Sequence, residues 1–157
     1  MTKAEEAAVQ YRTLNPLKKV GGEKTKTKVI PVYMWSSYQK IDAIKEGISK
    51  EELENLKEQT GLDYETLAKV LSVAKATLHN KKGKEKFDVS ISERILLLAD
   101  IYSYGYQVFE NKDGFNSWMK VSNPSLGGVS PLQMLDTLYG MEEVKHLIGR
   151  IEYGVYS

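Results

Sequence analysis

No cysteine occurs among the 157 residues, so disulfide scaffolds, thiolate zinc sites and thiol nucleophiles are excluded. Histidine is confined to His79 and His146, which lie in different segments, and neither has a metal-ligand neighbour at i+4. No metal site, cofactor or convergent catalytic group is therefore expected, and the chain does not read as an enzyme. No apolar stretch approaches the roughly 18 residues that span a bilayer. Met1 to Gln10 holds no apolar segment of the kind a secretory signal needs. These absences make the cytoplasm the expected location, with no membrane partner.

The residues that are present have globular composition, 41% hydrophobic and 27% charged. The formal net charge is only +1, which taken alone disfavours a nucleic-acid ligand. The charge is unevenly spread, however. Residues 1–30 carry a net +4, residues 31–68 a net −4, residues 69–94 a net +4 and residues 95–157 a net −3. A basic block thus sits between two acidic ones, and what it does depends on the structure that carries it.

Residues 1–28 are polar and rich in Lys and Thr, and read as a loosely ordered arm. Val29 to Trp35 is short, apolar and β-leaning, with Pro31 confining any strand there to an edge. From there onward the pattern is all-α. A short helix is expected over 38–46, ending at Gly47. Ser49 and Glu52 have capping-box spacing, and open a helix that closes before Gly61. Asp63 can cap a helix over 64–71, and a third follows from about 74 to 81, with a turn at Gly83.

Ser90 and Glu93 form a second capping-box pattern, opening a long helix whose stripe of Ile91, Ile95, Leu98, Tyr102 and Phe109 marks a core element. A further helical piece covers roughly 113–120 before Asn123-Pro124 breaks the chain. Ser130-Pro131 pairs an N-cap with a proline at the first helical position, and the helix it starts is expected to reach about Leu138. Thr137 then bonds backwards to a carbonyl, Gly140 ends that helix, and a last helix spans about 141–152. The organisation expected is a basic arm over 1–39, a helix-turn-helix domain over 40–88 and a helical domain over 89–157.

Tyr64 to Gly83 has the length and apolar pattern of a helix-turn-helix. Leu67, Ala68, Leu71, Val73 and Leu78 are the inward positions. Lys75, Ala76, His79, Asn80 and Lys82 then point outward and, with Thr77 and Lys81, form the candidate DNA-binding set. The cations suit phosphates, and the amide of Asn80 can pair with adenine. The run Leu67 to Val73 followed by Ala74 to Leu78 resembles the Xre-type helix-turn-helix family. Two departures stand out. Ser72 occupies the turn position usually held by Gly and must tolerate a positive φ, and Ala74 replaces the usual Ser cap.

Downstream, Trp118, Asn123-Pro124, Leu126-Gly127-Gly128, Pro131, Leu135, Thr137, Gly140, Val144, Leu147, Arg150-Ile151-Glu152, Gly154 and Ser157 form an ordered series. It resembles the toxin-binding domain of the MbcA/ParS/Xre antitoxin family. Together the two resemblances cover about residues 50–157. They imply a type II antitoxin that binds a RES-domain toxin, which consumes NAD, covers its active-site cleft, and binds operator DNA as a homodimer. They also imply that Asn123, Pro124, Gly127, Gly128, Arg150, Glu152, Gly154, Tyr156 and Ser157 face the toxin. Read from the residues alone, Gly127-Gly128 is ordinary helix capping, and the alternative function is a stand-alone dimeric transcriptional regulator.

Overall fold

The computed structural model describes Pro16, Leu17 and residues 31–155. The expected all-α architecture is what those residues adopt. The arm expected over 1–28 lies outside the described residues except at Pro16 and Leu17. Leu17 is buried in the core. Its carbonyl accepts from Asn55 Nδ2 at 3.2 Å, and that of Pro16 accepts from Gln59 Nε2 at 3.4 Å.

Eight α-helices follow among the described residues: α1 (Ser37–Glu46), α2 (Lys50–Thr60), α3 (Tyr64–Val70), α4 (Lys75–Asn80), α5 (Val89–Phe109), α6 (Lys112–Trp118), α7 (Pro131–Met134) and α8 (Leu138–Glu152). Their starts follow from side-chain caps that satisfy otherwise orphaned amides. Ser36 with Gln39, Ser49 with Glu52 and Ser130 with Gln133 make reciprocal capping boxes. Asp63 accepts from the Thr66 amide at 2.8 Å. That bond, reinforced by the Thr66 hydroxyl, holds the Asp63 carboxyl below its ordinary pKa of 3.8.

The start of α2 is closed further by the loop that follows α4. The Lys50 amide donates to the Glu85 carbonyl and the Glu51 amide to the Gly83 carbonyl, both at 2.8 Å. Ser49 and Lys86 pair in an isolated antiparallel bridge. The helix-turn-helix is thereby tied to the helix before it by backbone bonds as well as by packing.

Helix α5, 21 residues and about 30 Å long, runs through the centre. One contiguous apolar core surrounds it, from Leu53, Leu56, Leu67 and Leu78 at one end to Phe115, Leu135, Val144 and Ile148 at the other. The two halves of the chain therefore share one interior. Tyr102, Tyr106, Phe109, Phe115 and Trp118 form a ring cluster in which neighbouring centroids lie 5.2–5.9 Å apart. Gly105 makes room for it: a Cβ there would sit 2.1 Å from Phe115 Cζ.

Four local expectations are corrected. Residues 32–34 form a 3-10 turn, so the apolar run up to Trp35 is no strand where it is described. Helix α5 is capped by Asp88, whose Oδ1 accepts from the Ile91 amide at 2.8 Å, not by a Ser90–Glu93 box. The chain leaves the Lys86 bridge extended, and Asp88 is the residue whose side chain can turn back first. Helix α7 stops at Met134, short of Leu138. Thr137 is the N-cap of α8, accepting from the Gly140 amide at 3.0 Å, so Gly140 lies inside the first turn of α8 and does not end a helix. Gly140 is needed because a Cβ there would lie 1.7 Å from the Met134 carbonyl oxygen.

Candidate functional site: a helix-turn-helix face and a C-terminal cleft

Helices α3 and α4 pack through Leu67, Ala68, Leu71 and Leu78, all buried, with Val73 partly so. Those are the inward positions read from the sequence. The turn between the helices forces Ser72 to φ 53°, a left-handed conformation that disfavours any residue with a Cβ. Ala74 begins α4 with no side-chain cap bond.

On the opposite side of α4, Lys75, Ala76, His79, Asn80 and Lys82 are exposed, while Thr77 and Lys81 are half-buried. Lys86 is drawn to Glu46 at 3.2 Å and Lys69 to Glu65 at 3.6 Å. Lys75, Lys81, Lys82 and Lys84 form no close ion pair among the described residues, which leaves a cluster of cations on and just after α4, with Lys75 near enough to Asp63 to stabilise its carboxylate.

Residues that the sequence does not advertise hold this helix in place. Lys50, at the first position of α2, is buried, and its ammonium donates to the carbonyl of Leu78. The same ammonium pairs with Glu54 at 3.2 Å and lies 4.5 Å from the centre of the Tyr64 ring. Lys57 Nζ lies 5.2 Å from the same ring centre, and His79 packs against it with ring centroids 4.2 Å apart. A lysine in the first turn of a helix reads as solvated, so nothing in the pattern marks Lys50.

At the other end, α5 and α8 enclose a cleft of about 1030 Å³. Its walls include Leu97, Asp100, Ile101 and Tyr104 from α5, Met141, Lys145 and Arg150 from α8, and Tyr33 from the 3-10 turn. Asp100 is almost wholly buried, yet it is paired with Lys145 at 2.5 Å and Lys40 at 3.5 Å. One carboxylate thus ties α1, α5 and α8 together. An acid inside the apolar run from Leu96 to Tyr102 is a signal that composition alone could have raised.

Of the residues expected to face a toxin, Arg150 lines the cleft, and its Nε is enclosed without a hydrogen-bond partner among the described residues. Glu152 accepts from the Tyr104 hydroxyl, and burial followed by this bond pushes the phenol above its ordinary pKa. Gly154, at φ 67°, turns the chain so that the Val155 amide donates to the Arg150 carbonyl at 2.8 Å. Tyr156 and Ser157 lie outside the described residues. Asn123, Pro124, Gly127 and Gly128 do not line the cleft. They build a tight loop in which the Asn123 carbonyl accepts from the amides of Leu126 and Gly128, both at 3.0 Å.

The family model of the antitoxin Xre-like helix-turn-helix domain matches residues 39–100. That of the antitoxin Xre/MbcA/ParS C-terminal toxin-binding domain matches residues 105–154. The chain belongs to the Xre-type antitoxin family.

Curated relatives agree. The chain is similar to the Prs ADP-ribosylating antitoxin of Sphingobium sp., 27% identical over 136 residues that cover 80% of this chain and 86% of that protein. It is also similar to Antitoxin Xre of Photorhabdus laumondii, 41% identical over 76 residues, 48% of this chain and 51% of the relative. Antitoxin Xre of Yersinia enterocolitica is 27% identical over 119 residues, 74% of this chain and 80% of the relative. As a member of this family, the antitoxin combines a DNA-binding helix-turn-helix with a toxin-binding C-terminal domain, and the family is non-catalytic. Among the described residues no group of three His, Asp or Glu could hold a metal ion, and no helix is long and apolar enough to cross a membrane.

Proposed function

We propose that this antitoxin binds a RES-domain toxin that consumes NAD, covers its active-site cleft, and acts in the cytoplasm as a homodimer that represses its own operon. The carrying observation is the joining of the two matched domains across α5, with an exposed basic face at α4. The name of the Sphingobium relative supports the choice of toxin chemistry, since ADP-ribosylation uses NAD as its donor.

On this reading Lys75, Lys81 and Lys82 neutralise phosphates, while Asn80 and His79 meet base edges with Thr77 and Ala76 beside them. Arg150, Glu152, Gly154, Tyr156 and Ser157 contact the toxin, and the loop of Asn123, Pro124, Gly127 and Gly128 flanks that surface. Occluding an active site with an ordinary stable complex takes about 1,200–2,000 Å² of total buried surface.

Co-expression tests it. The RES-domain toxin of the same operon, induced alone, should arrest growth and deplete cellular NAD, and this chain should restore both. A neighbouring gene that is harmless when induced alone would instead favour a stand-alone transcriptional regulator.

A further inference from the structure

The C-terminal family domain spans residues 105–154, yet the cleft beside α8 is built only in part from it. Leu97, Asp100 and Ile101 belong to the segment matched as helix-turn-helix, and Tyr33 lies before both matches. We propose that the toxin-binding surface extends into this cleft, so that Tyr33 and Leu97 contact the toxin together with α8. This rests on the toxin pairing proposed above.

Three observations converge on that occupant. First, the cleft is continuous with the toxin-binding domain: Leu138, Met141, Gly149, Tyr153 and Val155 of the matched segment or its immediate end form the facing wall and rim. Second, its mouth carries apolar surface that no described residue covers, Leu138 being 52% exposed, Tyr153 78% and Val155 52%. Burying such groups is the main source of association energy in a protein interface. Third, the cleft wall holds a cation that no described residue pairs. Asp100 is held by Lys145 and Lys40, and Glu152 by Tyr104, whereas Arg150 has no ion pair among the described residues. An apolar side chain flanked by a carboxylate or free carbonyl is what this arrangement recognises. The occupant is thus a toxin segment of that chemistry, seated between α5 and α8.

The cleft differs from the terminal motif in what it reports. Residues 150–154 lie within the matched toxin-binding segment. Tyr33 stacks on Tyr104 at 5.5 Å, and its amide donates to Ser103 Oγ at 2.9 Å, so a toxin seated there touches the turn that leads directly into α1.

The test compares the full chain with Tyr33→Ala and Leu97→Trp, the latter placing an indole in the cleft, for binding to the RES-domain toxin of its operon by titration calorimetry. Both variants should bind at least tenfold more weakly while keeping wild-type operator affinity and a cooperative thermal transition. Wild-type toxin affinity in both folded variants would overturn the proposal and leave the toxin pairing standing. No binding by the unaltered chain would overturn the pairing, and the cleft with it. Should either variant fail to fold, hydroxyl-radical footprinting of the unaltered complex decides. Loss of Tyr33 oxidation on toxin addition supports the cleft, and unchanged Tyr33 oxidation contradicts it.

Discussion

The ammonium of Lys50 donates to the carbonyl of Leu78, fastening the C-terminal half of the second helix of the helix-turn-helix to the first turn of the helix two elements earlier. Helix α4 ends at Asn80, so the Leu78 carbonyl has no amide four residues on within the helix to accept from. Lys50 takes that place and fixes how α4 presents Lys75 and Asn80. Lys50→Met keeps the volume and removes the donor. It should lower unfolding free energy by about 1–3 kcal/mol, the range for stranding a buried acceptor. Operator affinity should fall with the salt dependence unchanged, because Lys50 is buried away from any phosphate. Urea denaturation and fluorescence anisotropy across a salt series check both.

Exposed lysines should behave in the opposite way. Lys75→Ala with Lys82→Ala removes two exposed cations from α4 and the segment just after it. The slope of log affinity against log salt should flatten by about 0.9 for each DNA phosphate that the variant no longer neutralises. Anisotropy with the operator at several salt concentrations reads this directly, and an unchanged slope would refute DNA reading by α4.

Two substitutions should stabilise. Ser72→Gly removes a Cβ from a left-handed position at φ 53°, a conformation that costs an L-residue roughly 1–2 kcal/mol. The greater freedom of glycine in the unfolded chain offsets part of that gain. Ala74→Ser supplies the cap that α4 lacks, worth about 0.5–2 kcal/mol. Denaturant midpoints should rise for each, and nearly additively for the pair only if the two turn residues relax independently.

Two glycines should tolerate nothing larger. Gly105→Ala drives a methyl into the Phe115 ring, and Gly140→Ala drives one into the Met134 carbonyl. Overpacking of this kind costs about 1–3 kcal/mol. Gly140→Ala should be the worse, since backbone cannot turn aside as a ring can. It should also weaken toxin binding by shifting α8. Thermal melts and toxin titration rank the two.

Most of the helices were legible because their starts are written in short-range chemistry: Ser49 with Glu52, Asp63, and Ser130 with Pro131 act within a single turn. The errors arose where two cap-competent residues compete, as Asp88 does with Ser90. They also arose where a tertiary contact decides, as the close approach of Met134 to Gly140 does. The outward set on α4 followed from the inward positions Leu67 and Leu78. Lys50 and the Asp100–Lys145 pair did not, since each depends on elements far apart in the chain meeting in space. The near-neutral net charge is resolved in the same terms. The basic block of 69–94 includes the exposed cations of α4, and the acidic stretch of 95–157 contains the toxin-binding domain.

The central claim is that one chain carries a DNA face and a toxin face that can be broken separately. It is tested most directly in cells holding both the RES-domain toxin and an operator-driven reporter, with growth and reporter output read together. Lys75→Ala/Lys82→Ala should release the reporter and still rescue growth, whereas Arg150→Glu/Glu152→Lys should lose rescue and still silence the reporter. Full rescue by the Arg150→Glu/Glu152→Lys chain, or silencing that survives loss of both lysines, would contradict the account.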